Sequence, residues 1–271
     1  MRIRLSGDHS TYHCGSAAAF SVIVKEVSRY GQLVGETEDY DLLVVNGEGS
    51  MHHSSGGFVK KMNQIEGALE RNKRVMLINT VWQDNPQQAA DVLLGCEKVI
   101  VREVLSQKQL ETQGLKVKVC IDQSYHATID ESAPFVDFKG GIVFTDFWSK
   151  EFESFVKLTS KWANKFHFMD MQGVSWSSMV KSLRTASLLV TGRHHAVYAA
   201  CKAEIPFSAL KGNTHKIEGL IETSGVNIPI HSNIDEVKGQ MMNSFSQRSE
   251  YNALFDWMKR NPPWQMDTSE F

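Results

Sequence analysis

The sequence lacks the features that mark a secreted protein, a membrane-spanning protein or a protein with a structural metal site. It has four cysteines, widely spaced and without a C-x-x-C pair, so neither a structural zinc site nor a redox motif is indicated. No window reaches the ~18 apolar residues of a membrane span, and the N-terminus has no apolar run of signal-peptide length. We therefore expect a cytoplasmic protein whose four thiols are reduced and mostly buried, namely Cys14, Cys96, Cys120 and Cys201.

An excess of charge of one sign is also lacking. The chain has 29 Lys and Arg against 31 Asp and Glu, which gives a formal net charge of -2. Such a chain exerts no large attraction on the phosphates of nucleic acid or on an anionic membrane. We expect no nucleic-acid partner and at most peripheral membrane association, so any anionic ligand has to be met by a local group of cations.

What the chain does have is ordinary globular composition and a repeating pattern. Its 271 residues are 42% hydrophobic, enough for two cores of common size. Short β-rich runs alternate with amphipathic stretches, which predicts an α/β fold with parallel sheets and covering helices. We place the boundary in the Asp-, Pro- and Gly-containing segment around residues 129–141, which gives lobes of residues 1–135 and 136–271.

The predicted elements follow this alternation. The predicted strands are residues 2–5, 40–46, 74–79, 98–102 and 116–121, then 141–145, 165–169, 188–191 and 206–210. The predicted helices are residues 17–27, 58–71, 87–94 and 106–113, then 148–162, 177–186 and 194–202, a helix beginning near Lys216, and one or two helices in residues 235–260.

Two polar turns follow strands in the first lobe. Residues 7–15 (GDHSTYHCG) contain His9 and His13, which could hydrogen-bond a substrate or simply be solvated; their spacing suits a metal only on a helix. Residues 46–57 (NGEGSMHHSSGG) contain Gly47, which allows close backbone approach or positive φ, and Glu48, which could bind sugar hydroxyls. The glycine spacing matches no Walker loop or G-x-G-x-x-G motif, and a flexible turn is the alternative.

Cations follow three other strands. Arg102 ends VIVR, where its guanidinium suits a carboxylate or phosphate, although it could instead cap the next helix beside Glu103. In SLLVTGRHHAVYAA, Arg193 opens a helix, where the helix dipole disfavours positive charge unless an anion is bound. His195 could transfer a proton or be a structural histidine, and Lys216 repeats the arginine argument at the next turn or is a surface charge.

Taken in order, these motifs resemble the polysaccharide pyruvyl transferase family. The resemblance covers most of residues 1–225, with HCG and LLVVNGEGS followed by VREVLS, CIDQS, LLVTGRHHAVYAA and IPFSALKGNTHKIEGL. Its most specific part is Arg-x-His at a helix start with a lysine roughly twenty residues on, here Arg193, His195 and Lys216. The resemblance implies a glycosyltransferase-B-like fold with two Rossmann-like lobes facing a central cleft.

The resemblance further implies transfer of the enolpyruvyl group of phosphoenolpyruvate onto a sugar of a bacterial surface polysaccharide or its precursor, forming a pyruvate ketal. Phosphoenolpyruvate would be a co-substrate, with no other cofactor and no metal, and the acceptor a sugar or lipid-linked glycan. The donor would be held in the second lobe by Arg193, His194 and Lys216 with Arg102 as a further contact, and His195 and Arg193 would be catalytic. The acceptor would lie against the first lobe, at His9, His13, Gly15, Asn46, Gly47, Glu48 and Gly49.

Two departures keep other interpretations open. NGEG stands where the family more often has a run of glycines, and family members are commonly longer. A nucleotide-sugar-dependent glycosyltransferase of glycan biosynthesis would share the fold, since fold does not fix chemistry. A third interpretation is a non-catalytic sugar-binding or assembly protein, for which Arg193→Ala and His195→Ala should leave biological activity unchanged. Phe147, Trp148 and Trp176 could stack on a sugar, although such aromatic residues mostly pack, and the oligomeric state stays open.

Overall fold

The computed structural model describes residues 1–145, 154 and 166–267. It divides into two compact units: unit 1 comprises residues 1–9, 20–123 and 263–271, and unit 2 comprises residues 10–19 and 124–262. The predicted boundary divides the chain once, after residue 135. In the structure, residues 10–19 belong to unit 2 and the C-terminal segment belongs to unit 1. The reason is packing: Trp264 and Met266 lie in a core of unit 1, and the Cys14 amide donates to the Met171 carbonyl in unit 2.

Among the described residues, unit 1 contains a six-stranded parallel sheet in the order β2-β1-β3-β4-β5-β6. Its strands are β1 (Arg2–Ser6), β2 (Gln32–Val34), β3 (Leu42–Glu48), β4 (Arg74–Thr80), β5 (Lys98–Val101) and β6 (Lys118–Val119). Its helices are α2 (Gly56–Glu70), α3 (Gln87–Leu93) and α4 (Val104–Thr112), together with most of α1 (Cys14–Val27), which begins in unit 2.

Both faces of the unit 1 sheet are buried, as the unbroken apolar run in β3 predicts. Leu43 and Val45 belong to a core with residues of α2, α3 and α4, while Leu42 and Val44 belong to a second core. That second core contains residues of α1 and of the C-terminal segment. Because successive side chains of a strand point to opposite faces, β3 anchors both layers.

In the described part of unit 2, five parallel strands form a sheet in the order β11-β10-β9-β7-β8. They are β7 (Ile142–Thr145), β8 (Phe166–Met169), β9 (Leu188–Thr191), β10 (Phe207–Leu210) and β11 (Ile230–His231). The helices are α5 (Trp176–Leu183), α6 (His194–Ala203), α7 (Lys216–Ser224), α8 (Ile234–Gln240) and α9 (Arg248–Arg260), with short 3-10 turns at Gln123–His126 and Met241–Phe245.

The two sheets share one connection rule. In each, the first strand lies between the second and the third, β1 between β2 and β3 in unit 1 and β7 between β8 and β9 in unit 2. In unit 1 the chain leaves β1 toward β2 and leaves β3 toward β4, so the connections diverge between β1 and β3; β7 and β9 form the corresponding divergence point in unit 2. In open α/β sheets, ligands bind in the crevice at the carboxyl ends of the strands at such a divergence point. Among the described residues, the relevant turns follow Ser6 and Glu48 in unit 1 and Thr191 in unit 2.

The predicted strands and helices are confirmed within about three residues wherever the structure describes them, and the 235–260 segment forms two helices. The predicted helix at residues 148–162 lies outside the described residues. Strands β2 and β11 were missed, since three and two residues are too short for a periodic signal. β3 was predicted to end at Asn46 but continues to Glu48, which pairs with Thr80 of β4. No helix in the described ranges is long and apolar enough to cross a membrane.

Gly47→Ala is expected to destabilise unit 1. A Cβ at Gly47 would lie 2.2 Å from Thr80 Oγ1 and 2.3 Å from Thr80 Cβ, so the strands would have to separate. Overpacking of this kind costs about 1–3 kcal/mol in unfolding free energy, measurable by urea denaturation. Gly56→Ala is the control, because no atom lies within 4 Å of its added Cβ. Equal stability of the two variants would contradict the packing argument.

Candidate functional site

At the carboxyl edge of the unit 1 sheet, Asn46 fixes the ends of three strands. Its Nδ2 donates to the Gly7 carbonyl at 3.0 Å, and its Oδ1 accepts from Asn79 Nδ2 at 3.0 Å. The side chain is buried, and each end of the amide has one partner. Asn46 therefore shapes the crevice whether or not it also contacts an acceptor.

The residues after Asn46 show why this edge has its conformation. Gly47 has no positive φ, so that alternative is wrong. The side chain of Thr80 in β4 leaves no room for a Cβ at this position, and close approach of a ligand to the Gly47 backbone stays a prediction. Glu48 is 5% exposed and has φ 46°, and Asn79 in β4 has φ 50°. Such left-handed residues are uncommon and concentrate at functional sites. Gly49 lies in the turn that follows the strand.

Lys61 in α2 is the residue of this edge that the sequence interpretation missed. Its Nζ lies 2.9 Å from His9 Nε2, 2.9 Å from the Gly47 carbonyl and 2.5 Å from Ser50 Oγ. His9 Nε2 in turn lies 3.9 Å from Glu48 Oε2. A signal was present, because Lys61 occupies an apolar-face position of α2, three residues after Phe58 and four before Ile65.

The surroundings of Lys61 and His9 shift both toward their neutral forms. Burial lowers the pKa of Lys61 to about 8, the nearby Glu48 carboxylate opposes this shift, and Arg102 and Lys60 reinforce it. The pKa of His9 is lowered first by burial and then by Lys61, against the opposing carboxylates Glu48 and Asp8. Near neutral pH His9 is therefore an uncharged imidazole, and Lys61 can release its proton far more readily than an exposed lysine.

Arg102 follows β5 at the same edge of unit 1. It is 1% exposed, and its Nη1 lies 2.5 Å from Asp122 Oδ2. The alternative of an exposed arginine paired with Glu103 is wrong: Glu103 itself caps α4, accepting from the amides of Leu105 and Ser106. Nε and Nη2 of Arg102 meet no acceptor within the described ranges. Contact of Arg102 with an anion stays a prediction, and Nε and Nη2 are the donor groups that remain for it.

Arg193 lies at the divergence point of unit 2. It is the N-cap of α6, its amide donates to Thr191 Oγ1 at 2.9 Å, and Thr191 Oγ1 lies 2.5 Å from Thr145 Oγ1 at the end of β7. The side chain donates from Nη1 to the Tyr12 hydroxyl at 2.8 Å. The predicted position of a cation at a helix N-terminus is therefore observed, and its guanidinium is oriented by an aromatic hydroxyl.

Both histidines after Arg193 are buried. The ring of His195 makes an edge contact with His13 at 4.9 Å between centroids, and His194 lies 4.8 Å from the ring of Tyr198. A Cβ on Gly15 would lie 2.3 Å from His195 Cβ, so the glycine is needed where α1 begins. Gly15 and His13 thus lie in unit 2, beside the predicted catalytic histidine, although the predicted acceptor site was assigned to the first lobe.

His13 and His9 consequently have different surroundings despite sharing one turn. His13 is buried, and its Nδ1 accepts from the Ser16 amide in the first turn of α1 at 3.2 Å, so the solvated-loop alternative is wrong for it. The side chain of His9 is 38% exposed and belongs to unit 1.

Lys216 is the first residue of α7. Its Nζ donates to Asn213 Oδ1 at 3.1 Å. The turns after β9 and β10 adjoin, because a Cβ on Gly212 would lie 3.7 Å from the Gly192 carbonyl. Arg193 and Lys216, the two cations predicted to hold the donor, therefore follow neighbouring strands of one sheet, β9 and β10, and lie at the ends of adjoining turns.

The remaining candidate groups are the possible metal ligands, the cysteines and three aromatic residues. Within the residues described, no cluster of three or more His, Cys, Asp or Glu side chains could hold a metal ion. The four cysteines form no disulfide there; Cys14 and Cys201 are buried and the other two half-buried. Trp176 is buried as the first residue of α5, and Phe147 and Trp148 lie outside the described residues.

A sequence model of the family described as polysaccharide pyruvyl transferase matches residues 2–213. The chain belongs to this family. The match includes the turn with His9 and His13, the β3 edge, Arg102 and the Arg193–His195 block, and it ends three residues before Lys216. No curated protein matches the sequence.

Solved structures similar to this pyruvyl transferase family member show the fold. The MnaA–UDP co-structure from S. aureus has a TM-score of 0.63 at 9% identity, covering 98% of this chain and 92% of that one. UDP-GlcNAc 2-epimerase from Methanocaldococcus jannaschii, in complex with UDP-GlcNAc and UDP, has a TM-score of 0.57 at 12% identity, covering 91% and 92%. An uncharacterised Klebsiella pneumoniae protein has a TM-score of 0.57 at 12% identity, covering 83% and 88%.

At such identities the likeness shows architecture and nothing more. Together with the two parallel sheets, it establishes an α/β fold of the glycosyltransferase-B type with two Rossmann-like units.

Asp122→Ala is expected to cost about 3–5 kcal/mol in unfolding free energy, because it leaves the Arg102 guanidinium buried without its partner. Asp235→Ala is the control: it removes a carboxylate from an exposed pair with Lys238, where a loss of about 0–1 kcal/mol is expected. Both are measured by chemical denaturation. A loss at Asp122 as small as that at Asp235 would show that the buried pair is not a major constraint.

Proposed function

We propose that this protein transfers the enolpyruvyl group of phosphoenolpyruvate onto two hydroxyls of a sugar in a bacterial surface polysaccharide or its precursor, forming a pyruvate ketal. The observation that carries the proposal is the pair Arg193 and Lys216, which begin consecutive helices in adjoining turns of unit 2. Membership of the polysaccharide pyruvyl transferase family supports it.

The pair suits a small, highly charged donor. A cation at a helix N-terminus is disfavoured by the helix dipole, and a bound anion removes this penalty while accepting from the first helical amides. Arg193 offers a planar fork that matches a carboxylate or phosphate, and Lys216 offers a compact point charge. We assign the phosphate and carboxylate of phosphoenolpyruvate to these two residues, with His194 and Arg102 as further proposed contacts.

His195 is the proposed general acid. It lies two residues after Arg193 and is held between the ring of His13 and the start of α1, where Gly15 leaves room for it. A positioned acid typically contributes ~10²–10⁴-fold in rate. In the overall reaction two sugar hydroxyls lose protons: one proton converts the methylene carbon into a methyl group and the other leaves with phosphate. Phosphoenolpyruvate serves as co-substrate, and the scheme uses no other cofactor.

The proposed acceptor side is the edge of unit 1 formed by His9, Asn46, Gly47, Glu48 and Gly49. Its partly exposed imidazole and its Glu48 carboxylate are groups that hydrogen-bond sugar hydroxyls. We place the reaction in the cytoplasm, on a nucleotide-linked or lipid-linked sugar.

A nucleotide-sugar donor is the second candidate, favoured by the UDP-GlcNAc and UDP bound in structures of similar fold. Arg193 and Lys216 could grip a diphosphate as well as phosphoenolpyruvate. The two candidates differ in which donor stabilises the native protein and in what is transferred.

Phosphoenolpyruvate is expected to raise the melting temperature, because a ligand that binds only the native state stabilises it by mass action, by about 2.7 kcal/mol at a hundred times its Kd. Arg193→Gln and Lys216→Gln should each abolish most of this shift, since each removes a donor-binding cation. Lys238→Gln, which removes an exposed cation of unit 2, should retain it.

The matching activity assay follows phosphate release together with a mass gain on a panel of lipid-linked and nucleotide-linked sugars. Transfer from phosphoenolpyruvate that is lost in Arg193→Gln supports the proposal. Stabilisation and transfer with UDP-GlcNAc but not phosphoenolpyruvate would favour the second candidate, and unchanged transfer in Arg193→Gln would contradict the role of the arginine.

A further inference from the structure

The environment of the Lys61 amine fits two protonation states equally well. As an ammonium it donates three hydrogen bonds, to the Gly47 carbonyl, to Ser50 Oγ and to His9 Nε2. As a neutral amine it keeps the first two as donor bonds, while its lone pair accepts from His9 Nε2–H at the same 2.9 Å. The proton between Lys61 and His9 can therefore lie on either nitrogen without any heavy atom moving.

We propose that Lys61 and His9 form a proton relay that takes up the proton of an acceptor hydroxyl during transfer. This inference rests on the proposed function and adds the proton acceptor that the reaction requires. Lys61 is 5% exposed and cannot itself reach a substrate, so it acts through His9, whose side chain is 38% exposed.

His9 has the remaining atom that such a relay needs. Its contacts with described residues, to Lys61 and Glu48, are both made through Nε2, and Nδ1 has no hydrogen-bond partner among those residues. His9 also follows β1, at the divergence point of the sheet where a ligand is expected. Its ring thus has one nitrogen against a buried amine and the other available to a hydroxyl.

The transfer of the proton balances in one step. The relay starts with Lys61 as a neutral amine and His9 protonated on Nε2. The acceptor hydroxyl gives its proton to His9 Nδ1 as its oxygen bonds to the pyruvyl carbon, and the Nε2 proton passes to Lys61 Nζ. The result is a Lys61 ammonium and a neutral His9 protonated on Nδ1. The reverse path then returns the proton to the departing phosphate or to solvent.

Neighbouring charges set the working range of this relay. Burial, Arg102 and Lys60 favour the neutral amine, whereas Glu48 favours the ammonium and would stabilise it once the proton has arrived. His9 is surrounded by Lys61, Lys60, Glu48 and Asp8, with its pKa lowered overall. Because the pKa of Lys61 is lowered to about 8, the amine is neutral often enough near physiological pH to accept a proton.

A first test needs no substrate. In the whole protein carrying ¹⁵N-labelled lysine, the Nζ resonance of Lys61, assigned by its absence in Lys61→Arg, should titrate near 8. His9→Gln should shift that titration, whereas Lys60→Met, at the exposed neighbouring position, should leave a separate Lys61 titration well below that of free lysine. A Lys61 resonance that titrates near 10.5 in the wild type overturns the relay.

A second test uses transfer kinetics. The wild-type kcat should rise with pH through about 8, since Lys61 has to be neutral to accept a proton. Lys61→Arg keeps a donor that stays protonated, so kcat should fall ~10²–10⁴-fold, KM should change little and the rise with pH should disappear. Lys60→Met should keep a kcat that rises with pH, with the rise displaced to slightly higher pH because Lys60 no longer lowers the pKa of Lys61.

The outcomes separate the two proposals. A wild-type protein that transfers from phosphoenolpyruvate, with Lys61→Arg equally fast, overturns the relay and leaves the proposed function standing. A wild-type protein that transfers nothing from phosphoenolpyruvate, while Lys61 titrates near 8 and responds to His9→Gln, overturns the proposed function and supports the shared proton.

Discussion

The order of strands in each sheet is the constraint on which the candidate site depends. Because β1 lies between β2 and β3, and β7 between β8 and β9, the connections diverge at the centre of each sheet and leave polar turns there. A close-packed α/β layer offers few other places where backbone amides and charged side chains can meet a ligand. His9 follows β1, Glu48 is the last residue of β3 and Arg193 follows β9, so all three lie where the connections diverge.

The cations at the carboxyl edges of the two sheets have different electrostatic surroundings. In unit 1 the cations are enclosed: Arg102 is held by Asp122, and Lys61 by neutral acceptors and the nearby Glu48. Enclosure lowers the local dielectric, which makes proton position sensitive to each neighbour. In unit 2 Arg193 is less buried than Arg102, and its guanidinium donates a hydrogen bond to the Tyr12 hydroxyl, which orients it at the start of α6.

Much of this could be predicted from sequence where the signal is local. The apolar run of β3 and the strand-turn-helix block around Arg193 depend on near neighbours in the chain, and both were predicted to within two residues. The features that were not predicted depend on contacts between residues that are distant in the sequence. Nothing near His13 in sequence indicates that it packs on His195, and nothing near Gly47 indicates that Thr80 sets its size. Lys61 had a signal in the helical pattern, but a lysine on an apolar stripe can be recognised as functional only once its partners are known.

The C-terminal segment of unit 1 has a consequence for biosynthesis. Trp264 and Met266 are buried in a core with strands from the start of the chain, and their amides donate to Gln123 and Glu26. Most of unit 1 is translated more than a hundred residues before this segment emerges from the ribosome. The N-terminal part of unit 1 therefore cannot complete this core until the segment with Trp264 and Met266 has been synthesised, so the folding of unit 1 is coupled to residues more than a hundred positions further along the chain.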